Sequence, residues 1–130
     1  MNIKLIFFTL FILITTVSCK KIDTPDAEAK AIFGQWQYNF DSGGFSGGGG
    51  SNLFDENSWI EFTEKGYYKV YKGSSKKEKA RFTIIKNETG SFKYIVWVKG
   101  HSSYKYIVDG NKLLLAEDAA DGFIYAFTRK

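Results

Sequence analysis

The stretch Gln35-Trp36-Gln37-Tyr38-Asn39-Phe40 alternates polar and aromatic side chains without an exception. Successive side chains of a strand point to opposite faces, so a strict period of two predicts a half-buried β-strand. Seven further segments read as strands: Ser58–Thr63, Tyr67–Lys72, Ala80–Lys86, Phe92–Lys99, Tyr104–Val108, Lys112–Ala116 and Phe123–Arg129. The breaks between them are mostly short and rich in Gly, Asn, Asp and Ser. Asp109-Gly110 is the strongest hairpin signal, because a type I′ turn needs positive φ at both central residues. Links this short cannot carry parallel crossovers, which take a dozen residues or more, so the strands form an antiparallel meander.

Eight such strands make either a sandwich or a closed sheet. No proline guards a strand edge, and closure removes the edge altogether. The expected fold is therefore all-β, an eight-stranded antiparallel meander β-barrel, preceded by a short helical turn within Asp26–Phe33 that Asp26 caps. A barrel of eight strands is either just filled by its own side chains or wide enough for one small ligand. Phe40, Phe62, Phe82, Phe92, Tyr94, Phe123, Tyr125 and Phe127 are the expected interior residues, and bulk of that kind fills space.

Composition agrees and excludes several function classes. The 130 residues are 44% hydrophobic and 18% aromatic, with 13 Gly against a single Pro, a mixture that favours strands and tight turns over helices or disorder. One Cys and one His exclude an internal disulfide and the usual zinc clusters; no metal or other cofactor is expected. The formal charge of +4 is too small to argue for nucleic acid.

The N-terminus carries an address. Lys4 precedes the apolar run Leu5–Val17, which is shorter than the ~17–25 residues of a spanning helix and suits a secretory signal. The run ends in Thr16-Val17-Ser18-Cys19, which resembles the lipobox of bacterial lipoproteins, although Thr16 stands where Leu is usual. The resemblance implies cleavage before Cys19, acylation of its thiol, and a lipid-anchored protein of the cell envelope, in the outer membrane of a Gram-negative bacterium. The alternative is an ordinary signal peptide with a coincidental cysteine. The expected division is residues 1–18 as signal peptide, 19–30 as lipidated Cys19 and tether, and 31–130 as the barrel.

Phe33-Gly34-Gln35-Trp36 resembles the Gly-x-Trp signature that opens the first strand of calycin and lipocalin barrels. Tyr125-Ala126-Phe127-Thr128-Arg129 is similar to their last strand, whose basic residue packs across the opening Trp. Gly34, Trp36 and Arg129 are thus the fold signature that the resemblance implies. Trp59–Tyr68 and Tyr104–Leu115 resemble hairpins of small lipocalin-like lipoproteins from Bacteroidetes, and Asp41–Gly47 resembles the loop after their first strand. Such a resemblance implies fold and location but no ligand.

Candidate sites are few. Gly43–Gly50 lacks the Gly-Lys-Ser/Thr of a phosphate loop; it is either a lid over the barrel mouth, with Phe45 as its apolar plug, or a plain connector. Lys76, Lys77, Lys79 and Arg81 flank a turn and read as a solvated hairpin tip, with anionic head groups as the alternative. Asp118 and Asp121-Gly122 lack calcium-loop spacing and shape a turn. His101, beside Ser102 and Ser103, does not make a hydrolytic site by adjacency, and no enzymatic activity is expected. Trp97 has the opposite parity from Tyr94, Val96 and Val98 and reads as exposed, with Trp59 or Tyr71 as candidate companions.

The leading expectation is a lipid-anchored barrel that binds a small hydrophobic ligand, among Phe40, Phe45, Phe62 and Phe127, or an envelope protein. A filled-barrel interaction module, such as an inhibitor or a toxin-immunity lipoprotein, is the alternative; a purely structural envelope component is the third reading. For the anchor, Cys19→Ser is expected to abolish both palmitate labelling and membrane retention. A mutant that still labels and fractionates with membranes refutes the lipoprotein reading.

Overall fold

The computed structural model describes residues 26–43, 53–101 and 103–130. A 3-10 turn at Ala29–Ile32 leads into eight strands: β1 (Gly34–Gly43), β2 (Ser58–Phe62), β3 (Tyr67–Lys72), β4 (Ser75–Lys86), β5 (Tyr94–Val98), β6 (Ser103–Asp109), β7 (Lys112–Glu117) and β8 (Phe123–Arg129). Each pairs antiparallel with its neighbour in sequence, and β8 returns to pair with β1. The result is a closed eight-stranded meander barrel of the lipocalin-like kind.

Four local features differ from expectation, each for a physical reason. In β1 the register shifts between Tyr38 and Phe40, a β-bulge. The extra residue, Asn39, inverts the parity of the rest of the strand. Tyr38 lies opposite Phe127 and faces inward, whereas Phe40 lies opposite Ala126 and is 61% exposed. Phe40 is therefore an outer-wall residue, not an interior one. Second, β4 begins at Ser75, so Lys76 and Lys79 belong to its ladder and not to a hairpin tip, and Lys77 is the extra residue where the β3–β4 register shifts; their long stems suit a strand whose outer face is solvated. Third, the tight turn of β6 and β7 is Gly110-Asn111, because Asp109 pairs with Lys112. Gly110 has φ +57° but no described non-glycine residue has positive φ, so the turn is not type I′. Fourth, Phe92 precedes β5 and is only half-buried.

Inward positions of all eight strands carry large side chains. Trp36, Ile60, Phe62, Tyr68, Phe82, Tyr94, Val96, Val98, Tyr104, Tyr106, Leu113, Leu115, Tyr125 and Phe127 are all buried in one continuous core. Outward positions of β2 to β4 carry Glu61, Lys69, Lys79 and Arg81. An apolar interior is the reverse of the polar lumen of barrels that span lipid.

The N-terminal turn closes one end of the barrel. Ala29 and Ile32 are buried, and the Tyr106 hydroxyl donates to the Ala29 carbonyl at 2.9 Å. Asp26 caps the turn by accepting from the Ala29 N–H at 2.9 Å and accepts from the Tyr94 hydroxyl at 2.7 Å. These two donors hold its carboxyl below the usual range, and Asp26 in return pushes the Tyr94 phenol up to about 12. Glu28 pairs with Lys93 at 3.0 Å. Residues 26–30, expected to be tether, are thus docked on the barrel.

Gly34, Trp36 and Arg129 meet at the same end. The Trp36 indole N–H donates to the Ile32 carbonyl at 2.8 Å. The Arg129 guanidinium lies 4.0 Å from the Trp36 ring and donates to the carbonyls of Phe33, at 3.0 Å, and Ala31, at 2.9 Å. Gly34 has φ +121°, and a Cβ there would sit 2.7 Å from Arg129 Nη1. The positive φ is what calls for glycine, and the missing Cβ leaves room for the guanidinium above it. Because Trp36 is fully buried, Trp36→Ala is expected to cost ~3–5 kcal/mol of folding free energy. Urea unfolding followed by far-UV circular dichroism measures this; a loss below ~1 kcal/mol contradicts the closing role assigned to the indole.

Candidate functional site

Two surfaces of the barrel depart from an ordinary solvated exterior. The first is the outer wall of β1, β8, β7 and β6. The bulge that turns Phe40 outward sets it opposite Ala126, which lies opposite Leu114, which lies opposite Ile107. Four strands thus contribute one apolar row, and Ile124 opposite Ala116 adds to it. Phe40, Ile107, Leu114 and Ile124 keep between 37% and 61% of their surface in water. A groove of about 320 Å³ runs along the row, edged by Asn39, Asp109, Lys112 and Thr128.

On β2 and β3 the outward aromatic side chains are paired. Trp59 and Tyr71 stack at 3.8 Å with their planes 1° apart, Lys130 lies 3.8 Å over Trp59, and Tyr67 carries Lys79 and Arg81 at 4.2 and 4.7 Å. Trp97 on β5 and Ile85 on β4 are exposed at 49% and 54%; Trp97 lies beside Thr83 and Ser103, and Ile85 lies opposite Ile95. Trp59 and Tyr71 are each other's partners instead.

The second surface is the mouth, at the end opposite the 3-10 turn. Phe54 packs into it, with ring centroids 5.6 Å from Tyr38, 5.3 Å from Tyr125 and 5.4 Å from Phe127. Asp55 and Ser58 hold the segment: the Asp55 N–H donates to Ser58 Oγ at 2.9 Å, and Ser58 Oγ donates to Asp55 Oδ1 at 3.0 Å. Lys72, 2.9 Å from Asp55, together with the Ser58 hydroxyl holds the Asp55 carboxyl below its usual range. Deeper in the mouth, His101 Nε2 is in direct hydrogen-bonding contact with Glu78 Oε1. Glu117 accepts from the Tyr125 hydroxyl at 2.8 Å and from the Phe123 N–H at 3.1 Å. Burial, followed by nearby Tyr104, Glu78 and Tyr125, pushes the Tyr68 phenol well up; burial with Glu117 and Glu78 pushes Tyr104 up to about 12.

Of the residues proposed for a ligand site, Phe62 and Phe127 are buried and packed, Phe40 faces outward, and Phe45 lies outside the described residues, as does Cys19. Four cavities lined by described residues open on the outer wall or at the barrel ends. Among the described residues no group of three or more His, Cys, Asp or Glu could hold a metal ion. Phe54 and Glu78 escaped the sequence reading although each left a signal. Asp55-x-x-Ser58 marks a side-chain-locked turn after Phe54. Glu78-Lys79-Ala80-Arg81-Phe82 continues the period of β4 back to an inward acid.

Comparison with known proteins finds no family model that matches the chain and no curated protein that matches it. Fold and surface together give a closed meander barrel with a continuous buried core, an apolar row on its outer wall and a mouth that carries acidic and aromatic residues. Phe54→Ala is expected to destabilise the fold by ~3–5 kcal/mol, as for a large buried ring. A chemical-denaturation midpoint equal to that of the wild type refutes its role as the plug.

Proposed function

We propose that the protein is a lipid-anchored envelope interaction module whose working face is the apolar wall of β1, β8, β7 and β6. The observation that carries this reading is the placement of bulk: the inward faces are packed with buried aromatic and aliphatic side chains, while Phe40, Leu114 and Ile107 form an exposed row outside. Contiguous apolar patches of this kind mark contact sites on soluble domains. The anchor rests on Leu5–Val17 ending at Cys19, the one cysteine of the chain, and the envelope address derives from it. The likeness to lipocalin-like lipoproteins of Bacteroidetes points the same way.

The occupant is a protein presenting an apolar ridge. Its backbone does not add to the sheet, because a closed barrel has no edge strand to extend. Contact is made side chain to side chain across the wall. The edges of the groove carry both signs, Asp109 and Lys112, with neutral Asn39 and Thr128. Such a mixed rim suits a hydrogen-bonding protein partner better than an anionic lipid surface. The groove volume of about 320 Å³ also sits at the low end for small-molecule pockets. A hydrophobic ligand lying on the wall is the second reading.

A photoreactive phenylalanine analogue at position 40 captures the partner in intact envelopes, and binding of the purified pair is then measured. Leu114→Lys is expected to weaken that binding by at least ~10-fold, as for a central apolar contact, without lowering the melting temperature. Unchanged affinity refutes the assignment. Capture of a second copy alone, or of lipid alone, replaces the partner with that occupant.

A further inference from the structure

The mouth carries an observation that the wall does not use. Three strands each bring a carboxylate to inward parity at this end. Asp41 comes after the bulge and lies opposite Tyr125, Glu78 lies opposite the buried Val70, and Glu117 lies opposite Tyr104. Cations do not match them in number. Lys72, which shares their parity, is held by Asp55, and Lys105 is held on the outer wall by Asp118 at 3.0 Å. His101 stands against Glu78, and Asp41 is engaged by Tyr38.

A second observation is independent of the acids. Tyr68 and Tyr104 are 4% and 6% exposed, yet among the described residues neither hydroxyl has a hydrogen-bond partner. No buried side-chain nitrogen or oxygen that is sealed from solvent lacks a partner among the described residues, so both hydroxyl oxygens keep contact with solvent. Their rings line the mouth: Tyr68 meets the His101 ring at 6.1 Å and Tyr104 meets Tyr125 at 6.4 Å. Two largely buried tyrosines thus leave hydroxyl oxygens open beside the carboxylates, acceptors that a donor-bearing ligand can use.

We propose that the mouth binds a small aromatic or alkyl amine, with its ammonium group between Glu78 and Glu117 and its carbon skeleton against Tyr68, Tyr104 and Tyr125. An ammonium has three donors and no acceptor. The two carboxylates and the open hydroxyl oxygens of Tyr68 and Tyr104 are acceptors that a cation satisfies together, and the tyrosine rings offer their negative faces to the same charge. A neutral apolar ligand would desolvate the carboxylates without compensation, and an anion would meet like charge. This site is distinct from the wall, so its test does not depend on the protein partner.

Isothermal titration of the purified full chain at low salt compares phenethylamine, 2-phenylethanol and 3-phenylpropionate, which share a ring and differ in charge. Saturable binding of phenethylamine, at least ~10-fold tighter than 2-phenylethanol and weakened by added salt, is expected. Glu78→Gln and Glu117→Gln each lower amine affinity by about tenfold and leave the alcohol unaffected, since one charge-assisted hydrogen bond is lost. Tyr104→Phe, which keeps the ring, is the companion variant if either glutamate change impairs folding; it weakens the amine too. Equal binding of amine and alcohol, unchanged amine affinity in all three variants, or no saturable binding of the amine each overturns the proposal. None of these results bears on the wall, which is read by Leu114→Lys.

Discussion

One cation ties the first strand, the last strand and the closing turn of the barrel together. Arg129, at the end of β8, covers the Trp36 indole of β1 and donates to the Ala31 and Phe33 carbonyls of the entering chain. A guanidinium is suited to this because its planar fork of donors can serve two carbonyls while its face stacks on a ring. Around it the other requirements fall into order. Gly34 leaves it room by lacking a Cβ, Trp36 must point inward and bond Ile32, and the 3-10 turn must lie across the barrel end to present its carbonyls. First strand, last strand and closing turn are thereby fixed to one group.

Much of this architecture is legible in the sequence. Period two is visible in most of the strand segments, and Gly, Asn and Asp punctuate most of the breaks, so strand number and order come from local chemistry alone. The meeting of Trp36 with Arg129 is reachable only through family likeness, since no local rule connects residues so far apart. Phe40 shows where local patterning misleads. Its alternation continues unbroken through Asn39, but a bulge is decided by the partner strand, and Ala126 lies opposite Phe40. Tyr38, Phe54 and Phe127 already fill the space inward of that point. Phe54 stands outside any strand pattern, so periodicity gives it no place in the core.

The candidate surfaces are less legible than the fold for a related reason. The apolar row joins Phe40, Ala126, Leu114 and Ile107, one residue from each of four strands. The acidic mouth joins Asp41, Glu78 and Glu117 in the same way. Each residue looks ordinary in its own segment: Leu114 sits in a run of three leucines and Glu78 among lysines. Only register brings them together, and register is a property of pairs. With large buried side chains at the inward positions of all eight strands, the wall and the rim are the surfaces on which these groups meet solvent.

The β1–β8 seam also has a consequence for how the chain reaches this state. Seven of the eight pairings join strands adjacent in sequence, and the tightest of these hairpins form on a scale of microseconds. The seam instead pairs Trp36 with Arg129. Loop-closure entropy grows only logarithmically with length, so the long closure costs roughly 2–3 kcal/mol more than a hairpin of a few residues. The difference lies in timing more than in stability: the meander can form as an open, twisted sheet, and the barrel exists only once its first and last strands have found one another.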